Sequence, residues 1–253
     1  EKLSKYLSNN YISAYEELKT TLRSAQEFSQ RNSGEMAEHS IDFILSALYV
    51  RMCTTARTIL LAAPKDTTTN SIWDYASFGT LLRNIIDALN SFMYLADKSI
   101  TKEEKECRFL LFSLHDAVTR QKVFEFRGSA EQAELCRARA SEVKISLSSN
   151  EYFKSLTENK QKHYLKGNDP FLLSKEEIIE ANGGRRDDFL GLYKFLSANA
   201  HSYPMGYFKM AENEFGRGIH SFVEEEYTEM ILQLTAGQLN VALWIYQNYK
   251  NKT

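Results

Sequence analysis

Only three prolines, Pro64, Pro170 and Pro204, and 11 glycines interrupt 253 residues, so the chain has few places where regular structure must break. Between the breaks, apolar residues recur at spacings of three and four. In "KLSKYLSNNYISAYEELKTTLRSAQEFSQR", from Lys2 to Arg31, the residues Leu3, Tyr6, Leu7, Tyr11, Tyr15, Leu18, Leu22 and Phe28 fall mostly on one helical face. The run from Ile41 to Ala63, "IDFILSALYVRMCTTARTILLAA", is apolar nearly all round, which predicts a helix inside a bundle. Asp42, Arg51 and Arg57 divide it, and a buried helix is expected rather than a membrane span.

The pattern continues downstream. "PKDTTTNSIWD" is a loop, broken by Pro64, and a third helix is expected from about Ile72 to Ala96, with Phe78, Leu82, Ile85, Leu89, Phe92 and Met93 as its stripe. Thr101 with Glu104 forms a capping-box pattern that opens a fourth helix, ending near Phe126. A more polar helix, Ala130 to about Ile145, leads into basic, turn-rich text. "SKEEIIEANGG" predicts a short capped helix stopped by Gly183 and Gly184, and "RRDDFLGLYKFLSANA" a further helix. "GYFKMAENEFGRGIH" is expected as loop before a long last helix, "EEEYTEMILQLTAGQLNVALWIYQNYK". No segment alternates with period two, and no Asn-Gly or Asp-Gly turn joins β-branched runs. The expected fold is an all-α multi-helix bundle with long central helices and a polar helical excursion around residues 130–183. One helical domain would span 1–253, with a small insertion at 130–183.

A formal net charge of -2 argues against a chain that binds nucleic acid non-specifically over its whole surface, and leaves room for a local patch. Cys53, Cys107 and Cys136 are far apart and lack metal-ligand spacing, so they are expected as free thiols in a reducing cytoplasm. No Glu-x-x-His occurs, so no di-metal carboxylate site is expected, and neither metal nor cofactor is called for. Glu1 opens the chain without a Met or a signal-peptide apolar region, as in a trimmed piece of a longer protein.

Several polar residues stand in apolar text. Arg83 and Asp87 in "LLRNIID" are four apart, a spacing that lets guanidinium and carboxylate pair on one face. Arg51 and Arg57, six apart, fall on different faces and are expected in separate ion pairs or reaching to solvent. His115 is adjacent to Asp116 and cannot pair with it within one helix, whereas Asp116 and Arg120 can; a satisfied core histidine is expected. The run Arg137 to Lys166 holds seven basic residues with Tyr152, Phe153 and Tyr164, the make-up of a solvated surface or a small RNA-facing patch. In "FLSANAHSYPMGYF", His201 stands at a predicted helix end, where the negative pole favours a cation and Pro204 stops the helix; Tyr203 follows. Lys194 lies seven residues earlier on nearly the same face.

"KFLSANAH", Lys194 to His201, resembles the Arg-x4-6-His motif of the HEPN helical ribonucleases, with lysine in place of arginine. That resemblance implies that the histidine moves a proton while the cation stabilises a pentavalent phosphorane. "LLRNIIDALNSFMYLAD" followed far downstream by "LYKFLSANAHSYPMG" is similar to a group of uncharacterised helical bacterial proteins, some of them associated with defence or abortive-infection loci. It implies a helical fold and a bacterial cytoplasm, and carries over Arg83, Asp87 and His201.

Two function classes follow. The first expectation is a soluble interaction or regulatory component of a defence or toxin-antitoxin type system, which binds a protein partner or self-associates and touches no membrane. The alternative is a HEPN-like, metal-independent ribonuclease using His201 with Lys194 or Arg83, with RNA as its partner. A third, a small-molecule pocket lined by Arg51, Arg83 and tyrosines, is also compatible with the sequence. The nuclease requires His201 exposed within a few ångström of a cation; the interaction protein allows it to be buried and fully hydrogen-bonded.

Overall fold

A computed structural model describes residues 3–37, 39–201, 203–206 and 218–251. The described residues are mainly helical and contain no strand, and the helices that position the fold are α1 Asn9–Arg31, α2 Ser40–Ala62, α3 Tyr75–Ala96, α4 Lys102–Phe126, α5 Ala130–Ser149, α6 Glu151–Ser155, α7 Glu158–Tyr164, α8 Lys175–Ala181, α9 Arg186–Ala200 and α10 Phe222–Lys250. The multi-helix, all-α architecture is therefore the one the spacing predicts. Most of the segment expected as loop between α9 and α10, 207–217, lies outside the described residues.

The chain divides into two compact units, one made of 1–96 with 178–253, the other of 97–177. The second begins at Asp97 rather than near residue 130 because α4 packs along α5. Cys107, Leu111, Leu114, Val118, Val143, Leu147 and Phe153 form its core. Gly167, at φ +71°, closes α7 onto α4: a Cβ there would come within 2.7 Å of the Val118 Cγ2 atom, so the turn needs glycine for both conformation and space.

In the first unit α3 is the central helix, packed against α2, α9 and α10. It is buried along most of its length, through Phe78, Leu82, Ile85, Ile86, Leu89, Phe92 and Met93, because its apolar stripe is wide enough to face several neighbours. Helix starts follow local chemistry. Ser8 caps α1 by accepting from the Tyr11 N–H, which moves the start past the Leu3–Leu7 stretch. His39 and Asp42 form the capping box of α2, and Thr101 accepts from the Glu104 N–H as its spacing requires. Ser174 and Glu177 bond reciprocally before α8.

α2 corrects the expectation of a helix buried all round. Leu45, Tyr49, Met52, Ala56 and Ile59 pack inward, and the Tyr49 hydroxyl donates to the Ala25 carbonyl, yet Phe43, Val50 and Leu61 are exposed. By length and composition α2 would suffice to cross a membrane, the one such helix among the described residues. Composition cannot say which side of a uniformly apolar helix receives neighbours; here they cover one side only.

Candidate functional site

Four side chains from α3 and the end of α9 meet in the first unit. α3 buries Leu82, Ile85, Ile86 and Leu89 and leaves Arg83 and Asp87 half-buried beside α9. One turn before Arg83, Gly79 gives α9 room: a Cβ added there would already lie 3.4 Å from the Leu196 Cδ2 atom. α9 ends on His201, its C-cap, whose N–H donates to the Ser197 carbonyl at 3.0 Å while the imidazole stays exposed.

The Arg83 Nη1 atom lies 3.2 Å from His201 Nε2. Arg83 Nη2 donates to the Tyr193 hydroxyl at 3.1 Å, and that hydroxyl donates to Asp87 Oδ1 at 3.0 Å. A continuous chain thus runs from carboxylate through phenol and guanidinium to imidazole. The guanidinium carbon also sits 5.0 Å from the Tyr193 ring centroid, and Phe189 stacks on that ring at 5.3 Å. Because a guanidinium only donates, the Arg83–His201 contact is a hydrogen bond when Nε2 carries the lone pair and the ring proton sits on Nδ1. That arrangement presents a base held beside a fixed positive charge.

Between Arg83 and Asp87, whose spacing allows a direct pair, stands the hydroxyl of Tyr193, 106 residues from Asp87, bonded to both. Tyr193 is the member of this chain of contacts that sequence reasoning missed. The only available signal was a tyrosine beside Lys194 on a largely apolar helix, which says nothing about where its hydroxyl points. Further along the same face of α3, both amide atoms of Asn90 are buried without a partner among the described residues, as is Arg83 Nε. The polar stripe 83–87–90 thus runs from accessible surface into the core.

The other singled-out residues separate into near and far. Tyr203 is 56% exposed, and its ring lies 5.5 Å from that of His201. Lys194 is exposed, with no polar partner among the described residues. Arg51 leans from α2 onto α3, donating to Asn84 Oδ1 at 3.0 Å, while Arg57 is exposed and makes no polar contact among the described residues. His115 belongs to the second unit and is half-buried without a hydrogen-bond partner among the described residues, which corrects the satisfied core histidine; Leu114 and Ala117 take the inward positions instead. Asp116 and Arg120 do pair, at 2.8 Å.

In the run 137–166 two of the three aromatics, Phe153 and Tyr164, are buried in the core of the second unit, and Tyr152 packs against it partly buried. Four of the run's seven cations are engaged in ion pairs: Arg137 with Glu125 and Glu134, Arg139 with Glu142, Lys154 with Glu151 and Lys162 with Glu158. The three cysteines are free thiols; burial pushes those of Cys53 and Cys107 up to about 12. No group of three or more His, Cys, Asp or Glu side chains among the described residues is placed to hold a metal.

Residues 42–218 match the model of a protein family of unknown function, DUF5677. The chain belongs to that family. Arg83, Asp87, Tyr193 and His201 all lie inside the DUF5677 span, so the site is built from the part of the chain that defines the family. Comparison with curated proteins and with solved structures gave no match. Membership agrees with the expected kinship to an uncharacterised helical group and brings no activity with it.

Proposed function

We propose that the Arg83–His201 site cleaves RNA, as a HEPN-like ribonuclease whose chemistry needs no metal. The observation that carries the reading is the 3.2 Å contact between an exposed histidine and a guanidinium 118 residues away. In this reading the cation is Arg83 rather than Lys194. The fork of an arginine suits a phosphate, and it is delivered from α3 instead of from the same helix.

The reaction follows from the groups. A phosphate entering the site takes the Nη1 donor of Arg83, which releases the Nε2 lone pair of His201. His201 removes the proton of the ribose 2′-hydroxyl, and the 2′-oxygen attacks the adjacent phosphorus. Arg83 stabilises the negative charge that gathers on the phosphorane oxygens. The bond to the 5′-oxygen then breaks. That oxygen takes a proton from solvent and leaves as an alcohol, a 2′,3′-cyclic phosphate remains, and solvent later removes the proton held by His201. Tyr193, fixed by Asp87 and Phe189, keeps the guanidinium in place.

The test is incubation of single-stranded RNA with the purified protein in a chelator, with His201→Ala and Arg83→Ala beside it. Cleavage leaving cyclic phosphate ends is expected. It falls by about 10²- to 10⁴-fold without the imidazole and about 10²- to 10³-fold without the guanidinium. An inert wild type, or a His201→Ala protein that cuts equally well, defeats the reading. A second reading, an interaction component of a defence or toxin-antitoxin type system, draws on the exposed Phe43, Val50 and Leu61 of α2. It requires nothing of His201, so the same substitutions leave it unaffected.

A further inference from the structure

We infer that Tyr203 is a base-stacking platform of this site, so that its substrate is RNA with an unpaired nucleobase next to the scissile phosphate; the inference rests on the ribonuclease reading. Tyr203 is more than half exposed and its ring stands 5.5 Å from the His201 ring, tilted by 36°. Its backbone is nonetheless fixed: the N–H donates to the Ala198 carbonyl at 2.9 Å and its carbonyl accepts from the Gly206 N–H at 2.9 Å. A large aromatic surface is therefore held in solvent beside the group that would take the 2′-hydroxyl proton. A nucleotide whose phosphate lies on Arg83 and whose ribose lies on His201 has its base within reach of that ring. Stacking on it demands no particular base, because every base has a π-face, but it does demand one free of a duplex.

Lys194 completes the surface. It is exposed, unpaired among the described residues, and two turns before His201 on the same face of α9, roughly 10 Å along the axis. A cation so placed serves a neighbouring phosphate rather than the reacting one. The two side chains divide the work: Tyr203 selects an open strand and Lys194 follows its backbone. Neither touches the reacting atoms, so both are expected to act on KM more than on kcat.

The probe is a fluorescent 2′-O-methyl RNA oligonucleotide, which lacks the attacking hydroxyl and reports binding without cleavage. Its affinity is measured by anisotropy for wild type, Tyr203→Ala, Tyr203→Trp and Lys194→Ala, single-stranded and annealed to its complement. Tyr203→Ala is expected to weaken single-strand binding by about tenfold or more and Tyr203→Trp to restore it, the range set by base–aromatic stacking. Wild type is expected to prefer the single strand. Lys194→Ala is expected to lower the salt slope of binding by about 0.7, one phosphate contact. Equal affinity of Tyr203→Ala and wild type, no binding by wild type, or a preference for duplex overturns the platform. If cleavable RNA is cut with the same KM by Tyr203→Ala and wild type, the ribonuclease stands and the platform falls. If stacking-dependent binding is found but cleavable RNA survives intact, the platform stands and the ribonuclease falls.

Discussion

Arg83 carries its charge in a planar fork, and two of its edges are already assigned, one to a phenol oxygen and one to an imidazole nitrogen. This assignment makes Tyr193 a positioning residue, since its hydroxyl links the guanidinium to Asp87. Tyr193→Phe keeps the ring against Phe189 and under the guanidinium and removes both hydrogen bonds. The expected outcome is a fall in kcat of about ten- to a hundredfold with KM and thermal midpoint nearly unchanged, read by steady-state cleavage and calorimetry. A loss of stability equal to that of a core mutant would make Tyr193 structural instead. At this scale the sequence offered His201, Arg83 and Asp87 as residue types in unusual surroundings. It could not offer their order of contact, because i, i+4 spacing describes what one helix can do alone and α9 supplies the third group.

Helix ends were the most legible elements, since a cap is a contact between residues three apart. Thr101 with Glu104 and Ser174 with Glu177 are read directly from spacing. Acids in the first turn of α10 suit its positive pole, and these glutamates also hold other helices. Glu225 accepts from the Ser8 N–H at 2.7 Å and from His220 Nε2 at 2.6 Å, and Glu224 accepts from the Tyr75 N–H at 3.2 Å. The starts of α1 and α3 are thereby tied to α10. Burial by itself raises the pKa of Glu225, but the hydrogen bonds from His220 and Ser8 more than offset it, and the net shift is downward. A carboxyl whose pKa is depressed by folding adds stability that is complete above the ordinary glutamate range and is lost as pH falls through the folded value. Glu225→Gln is therefore expected to cost about 1.5–3 kcal/mol at neutral pH, and the gap to wild type to close on acidification. Urea unfolding across a pH series measures it; a gap independent of pH would mean that the charge is immaterial.

On the scale of the whole molecule there are two cores, and a cavity in one should be felt locally. Phe153 is fully buried among Leu111, Leu114 and Leu147 of the second unit. Phe153→Ala is expected to destabilise that unit by about 3–5 kcal/mol. Hydrogen exchange should speed up in α4, α5 and α7 while amides of α3 and α9 keep their protection. Uniform loss of protection would show one cooperative core in place of two. The extent of this unit was only partly legible: polar, turn-rich text marked 130–183, whereas α4, whose apolar spacing matches any bundle helix, gave no sign that it belongs with α5.

The sequence by itself determined that this chain is helical, where most helices begin and end, and that its thiols stand apart, because each of these depends on residues within a turn or two of one another. Tertiary structure decided which side of α2 faces solvent, which helices share a core, and that Arg83, Tyr193 and His201 meet. Those outcomes depend on contacts between different helices, from 24 residues apart for Tyr49 and Ala25 to 118 for Arg83 and His201, and such contacts are selected by the packing of whole helix faces, which no local pattern encodes.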